Sequence, residues 1–176
     1  MSTVHSIKAI IGLGNPGSQF ANTRHNIGFR IVDALADQCN VSWQSKGNMQ
    51  VATCALADRS YLLIKPQTFM NNSGDIMQAL QKQGIRAENV VVVHDELELP
   101  YGQVKLKMGG SAKGHNGLKS LIAAWGPEFL RLRFGIGRPT DRAEVANFVL
   151  RPFSENDVHL HVEKAKQELI NLLQKA

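Results

Sequence analysis

The feature that most constrains this chain is a unit near its start. A strand-like run, Ile7 to Ile11, enters a glycine-rich turn, and a helix-like run, Ile27 to Cys39, leaves it. Ile31, Val32, Leu35 and Cys39 fall close to one face of that helix, so it must pack on a sheet that the rest of the chain supplies. The turn carries Gly12, Gly14, Pro16 and Gly17 and ends on Arg24, His25 and Asn26, just where the helix should begin. Thr23 or Asn26 is suited to cap it. A loop on a rigid scaffold that ends on an acid–base residue is a place for chemistry.

The spacing Gly12-x-Gly14-x-x-Gly17 also matches the dinucleotide fingerprint. In that fingerprint the helix opens at the glycines, whereas 18–24 shows no apolar helical stripe. Pro16 removes an amide donor, and Asp33 and Asp37 fall inside the helical pattern instead of ending a second strand. The turn is a poor pyrophosphate cradle.

Further along, Val51 to Ala57 and Tyr61 to Ile64 read as a hairpin turning at Asp58-Arg59. Ser73 is placed to cap a helix that runs through Met77 and Leu80 to Gly84. Val90 to Val93 is a continuous apolar run, the signature of a central strand buried on both faces. Val104 to Met108 is a strand with Lys105 and Lys107 on one face. A glycine-rich loop, Gly109 to Gly117, leads to a helix from Leu118 to Trp125, and Leu130 to Ile136 is a further strand. Ser154 precedes a long C-terminal helix with Val158, Val162, Ala165 and Leu169 mostly on one side. Alternating strands and helices, with one hairpin, define a single α/β domain over 1–176 with a mixed β-sheet flanked by helices. Asn15, Asn71 and Asp95 stand at strand C-terminal ends, where open α/β sheets hold their ligands.

Composition adds two constraints. Between Gln103 and Arg142 lie Lys105, Lys107, Lys113, Lys119, Arg131, Arg133, Arg138 and Arg142, against only Glu128 and Asp141. That segment carries +6 of a net +5, leaving the remainder at −1, and points to a polyanion such as nucleic acid. No apolar run approaches the roughly 20 residues of a membrane span. Met1 to Ser6 lacks a signal-peptide core, so Cys39 and Cys54 are expected as two reduced, buried thiols in a cytoplasmic protein.

His25 is the candidate base, because imidazole titrates near neutrality. Asp95 is the group to hold its tautomer. No Gly-x-Ser-x-Gly elbow is present and neither cysteine has a nucleophile's context, which leaves water as the attacking group. Asn15, Asn71 and Asn116 offer uncharged donors and acceptors for a peptide or ester carbonyl, while Asn26 and Asn72 read as turn or cap residues. A metal held by His25, His94, His115 and Asp95 is a further alternative, but no His-Glu-x-x-His or Cys-x-x-Cys spacing supports it.

These residues fall in motifs that resemble bacterial peptidyl-tRNA hydrolases. They are Gly12-Leu13-Gly14-Asn15-Pro16-Gly17, Thr23-Arg24-His25-Asn26, Lys65-Pro66-x-Thr68-Phe69-Met70-Asn71-x-Ser73-Gly74, His94-Asp95-Glu96-Leu97, Gly114-His115-Asn116-Gly117-Leu118 and Arg131-Leu132-Arg133-x-Gly135-Ile136-Gly137-Arg138-Pro139. The resemblance implies hydrolysis of the ester that joins a peptide to the terminal ribose of tRNA. It makes His25 the base, Asp95 its stabiliser, and Asn15 the reader of a blocked amino group. It places Phe69, Met70, Asn71 and Asn116 at the acceptor or peptidyl end, and Lys105, Lys107 and Arg133 on tRNA phosphates. Phe20 stands where the family usually has tyrosine, which keeps stacking and loses a phenol hydrogen bond. A monomer without metal or cofactor is implied. A non-catalytic RNA-binding protein of the same fold is the alternative.

Overall fold

The computed structural model describes residues 6–175. The expectation about a signal core therefore falls almost wholly outside the described residues. Strand β1 (Ala9–Gly12) leads through the glycine turn to helix α1 (Ile27–Gln38). Strands β2 (Gln44–Lys46), β3 (Met49–Leu56) and β4 (Arg59–Pro66) follow, then helix α2 (Met77–Lys82) and strand β5 (Val90–Glu96). The chain continues through β6 (Val104–Met108), α3 (Asn116–Trp125), β7 (Leu130–Gly135), α4 (Val145–Val149) and α5 (Val158–Gln174).

The strands form one sheet in the order β2-β3-β4-β1-β5-β7-β6. β4, β1, β5 and β7 run parallel; β3 and β6 run against them, and β2 pairs antiparallel with β3. β1 lies between β4 and β5, so its C-terminal end is a topological switch point, the place where a ligand crevice opens.

The uniform apolar run of β5 is explained by two cores. Val91 and Val93 pack with Ile31 and Leu35 of α1 and Val162 and Leu169 of α5. Val90 and Val92 pack with Leu80 of α2 and Leu121 of α3 on the other face. Both faces are covered, so alternation of polar residues is absent.

Helix α1 approaches the sheet at backbone distance. A methyl group on Gly28 would strike the Val93 carbonyl and the Leu13 backbone, and one on Gly12 would strike the Gly28 carbonyl. Leu13 N–H donates to Val93 O at 3.0 Å, tying the turn to β5. This contact sets the helix start, and with it His25, beside the end of β5.

Some local expectations are corrected. Ser73 lies inside a 3-10 stretch, Met70–Ile76, and its hydroxyl donates to Met70 O at 2.7 Å instead of capping α2. Asp157, not Ser154, occupies the position before α5. Cys39 and Cys54 are not separate thiols. Packing of α1 across β3 brings their Cα atoms to 5.5 Å and the sulfurs are joined as a disulfide.

Candidate active site

Three loops meet at the C-terminal ends of β1, β4 and β5. The first ends in the 3-10 turn Arg24–Asn26, whose residues are all buried. His25 Nδ1 lies 2.9 Å from Asp95 Oδ2 at the end of β5. The other carboxylate oxygen lies 2.8 Å from His115 Nε2. Asp95 thus sits between two imidazoles whose ring centroids are 4.9 Å apart.

The two imidazoles are held differently. His115 occupies the position before α3, and its Nδ1 accepts from Gly117 N–H at 3.1 Å and Leu118 N–H at 3.2 Å. A nitrogen that accepts carries no proton, so the His115 proton is on Nε2 and is given to Asp95. His25 has no such cap. With Nδ1–H directed to Asp95, its Nε2 is the nitrogen left for proton transfer.

Burial alone would push the His25 pKa down. The Asp95 charge and its hydrogen bond together outweigh this, and the net shift is upward. Burial likewise disfavours the Asp95 carboxylate, but the charge of His25 and the hydrogen bonds from His25 and His115 hold it well below the usual range. Burial and the neighbouring His115 bring His94 down to about 3; its Nδ1 bonds to Asp95 O at 2.8 Å.

Asn15 is fixed at three points. Its N–H donates to Asn26 Oδ1 at 2.8 Å, and Asn26 Nδ2 donates back to its carbonyl at 2.9 Å. Asn15 Oδ1 accepts from Met70 N–H at 2.7 Å, which commits the amide's acceptor and leaves Nδ2 as its donor. Asn26 is therefore a buried clamp, not the turn or cap residue its position suggests; it makes no side-chain cap bond to α1.

The other candidates are distributed around this centre. Met70 is buried, and its sulfur would meet a side chain placed on Gly117. Phe69 is 59% exposed and Asn71 follows it on the surface. Asn116, Lys107 and Arg133 line a cavity of about 400 Å³ together with His25, His94 and Asp95. Lys105 stands opposite Arg133 in the β6–β7 register, on the exposed edge strand. Phe20 is half-buried in the turn Ser18–Phe20 and is not part of that cavity's lining.

Arg131 belongs to the basic segment but is 2% exposed. Its guanidinium donates to the carbonyls of Ser111 at 2.7 Å, Gly110 at 2.5 Å and Pro127 at 3.2 Å. It fixes the glycine-rich loop, where a charge count alone would place it on a phosphate-binding face. His115 is the site residue that sequence reasoning weighed only as a possible metal ligand, although its place just before an apolar helix marks it as a cap.

The ligand atoms of His25, Asp95 and His115 lie within 4.8 Å of one another. For His115 the metal-facing nitrogen is the one that bears the proton, so metal binding there would require breaking the cap on α3.

A parallel-centred α/β sheet with a carboxylate-oriented histidine and a clamped amide at its C-terminal edge is the architecture of an α/β enzyme with its site at a topological switch point. A model of the peptidyl-tRNA hydrolase family matches residues 9–176. The protein belongs to the peptidyl-tRNA hydrolase family. A peptidyl-tRNA hydrolase of Syntrophotalea carbinolica is 40% identical over 171 residues, covering 96% of this chain and 85% of that protein. One of Wolbachia pipientis is 40% identical over 178 residues, covering 93% and 98%. The crystal structure of peptidyl-tRNA hydrolase from Acinetobacter baumannii superposes with a TM-score of 0.90 at 35% identity, over 97% of this chain and 90% of that one.

Proposed function

We propose that this enzyme hydrolyses the ester between the peptide, or an N-blocked aminoacyl group, and the terminal ribose of tRNA, and so returns tRNA to use. The observation that carries the reading is the His25–Asp95 pair beside the clamped Asn15, in a chain of this family. His25 Nε2 takes a proton from water as the water oxygen bonds to the ester carbonyl carbon. The carbon–oxygen bond to ribose then breaks, and His25 returns the proton to the ribose oxygen. Asp95 holds the imidazole with Nε2 free and stabilises the imidazolium that forms.

Asn15 Nδ2 donates to the carbonyl of the blocking acyl group. A free aminoacyl ester has an ammonium in that place, which a donor repels. Phe69, Met70, Asn71 and Asn116 border the peptidyl end, and Lys107, Arg133 and Lys105 hold phosphates without reading bases. Phe20 stacks beyond the cavity. The chemistry uses water and side chains, with neither metal nor cofactor, in a monomer acting in the cytoplasm. Among the described residues no helix is long and apolar enough to cross a membrane.

The test is release of tRNA from N-acetyl-aminoacyl-tRNA, beside the unblocked aminoacyl-tRNA, in the presence of a chelator. Release from the blocked substrate alone supports the reading. Binding without release in either case would restore the non-catalytic RNA-binding alternative, and dependence on added metal would restore the metal centre.

A further inference from the structure

The residue before His25 ties the catalytic turn to the far wall of the cavity. Arg24 is 7% exposed. Its backbone N–H donates to Arg151 O at 3.1 Å, and its Nη1 donates to Phe148 O at 2.9 Å. The guanidinium lies 3.9 Å from the Phe148 ring centroid and 5.9 Å from that of Phe153. Thr23 pairs with Pro152 in an isolated antiparallel bridge, so the whole approach to His25 is laid along the 148–153 segment.

That segment begins in the last turn of α4, whose Val145, Ala146 and Val149 line the cavity. Helix α4 has five residues, none of them buried. A helix this short has little stability of its own and takes its place from whatever holds it. A buried guanidinium that both donates to a carbonyl of its last turn and stacks on its Phe148 ring is such a holder.

We propose that Arg24 is a positioning residue that sets, through one side chain and one backbone bond, both the α4 wall of the cavity and the register of His25 against Asp95. The proposal rests on the reading of His25 as the base. The wall against which substrate seats and the imidazole that activates water are then parts of one rigid joint. Groups that face this joint from the packed elements are Asp95 and His94 on β5, His115 before α3, and Arg151 and Glu155 after α4. Of these, the Asp95 hydrogen bond is the contribution to His25 expected to change in the variants; the others are common to the wild type and the variants.

The experiment uses the full chain with Arg24→Met and Arg24→Lys. One readout is kcat and KM on N-acetyl-aminoacyl-tRNA, and the other is the NMR titration of the His25 ring without substrate. Arg24→Met is expected to lower kcat roughly 10- to 100-fold, as misplacement of a reacting group by an ångström does, and to raise KM as the α4 wall shifts. Its His25 titration should move down toward the ordinary imidazole value as the Asp95 hydrogen bond loosens. Lysine keeps the charge but lacks the planar fork, so Arg24→Lys should fall between the two. A folded Arg24→Met protein with wild-type kcat and an unmoved His25 titration overturns the proposal. If that variant does not fold, an unmoved titration in Arg24→Lys overturns it equally. A wild-type protein that fails to release tRNA would sink the hydrolytic reading while the titration still decides what Arg24 does.

Discussion

At the scale of single residues, the centre works by giving each polar atom one partner and leaving few atoms uncommitted. Asp95 has an imidazole on each oxygen, and only the His25 imidazole has a nitrogen left over. With His25 as the proposed base, its raised pKa means that the protonated, inactive form persists to higher pH than for a free imidazole. Activity should therefore rise with pH along a limb centred above about 6.5. Asp95→Asn removes the charge that raises the pKa, so the limb should move to lower pH while kcat falls roughly 10²- to 10⁴-fold. A limb that stays in place, read from a pH–rate profile, would show that Asp95 does not govern His25. The Asn26 clamp makes a second test. Asn26→Ala strips Asn15's backbone of two buried partners and should cost roughly 1–3 kcal/mol in chemical denaturation. It should also blur the preference for N-blocked substrate. Stability loss with discrimination intact would separate Asn26 from recognition.

At the scale of elements, the packing of α1 on the sheet decides where His25 lies. Gly28→Ala places a methyl against the Val93 carbonyl and Leu13, and neither backbone can retreat. Overpacking of this kind costs about 1–3 kcal/mol, and here the displacement should also lengthen the His25–Asp95 hydrogen bond and lower kcat. A thermal melt and a kcat measurement check both; full activity in a folded variant would mean that the turn absorbs the shift. The elements that sequence made legible are those whose burial is uniform. Val90 to Val93 reads as a central strand because both faces are covered, and Lys105 and Lys107 mark one face of an edge strand. Strand β2 is three exposed polar residues and α4 is a five-residue turn, so neither carries a period to detect. His115 and Arg131 were opaque for another reason. Their roles depend on partners that only the folded loop supplies, and neither charge nor spacing reveals which carbonyl or carboxylate will be met.

At the scale of the molecule, the basic residues divide into those that face outward and those that hold the fold. Lys105→Ala with Lys107→Ala should weaken tRNA binding and flatten its dependence on salt by roughly one unit for each phosphate left without its lysine. An unchanged slope would mark both lysines as bystanders. The disulfide joins the end of α1 to β3 across 15 residues. Closing a loop of that length contributes about 3 kcal/mol, so reductant should lower the unfolding free energy by that order. Two thiols titrating in the native protein without reductant would instead restore the pair of free cysteines expected in a reducing compartment.

The parallel pairing of Ile11 with Val92 aligns strands from distant parts of the chain. His25 emerges early in synthesis, but its carboxylate, the capped histidine and the Phe148 anchor all follow later. With His25 as the proposed base, a growing chain is expected to stay inactive until β5, α3 and α4 have left the ribosome. Appearance of activity during translation or refolding would then report closure of the whole sheet, a late event, and not the formation of any one local structure.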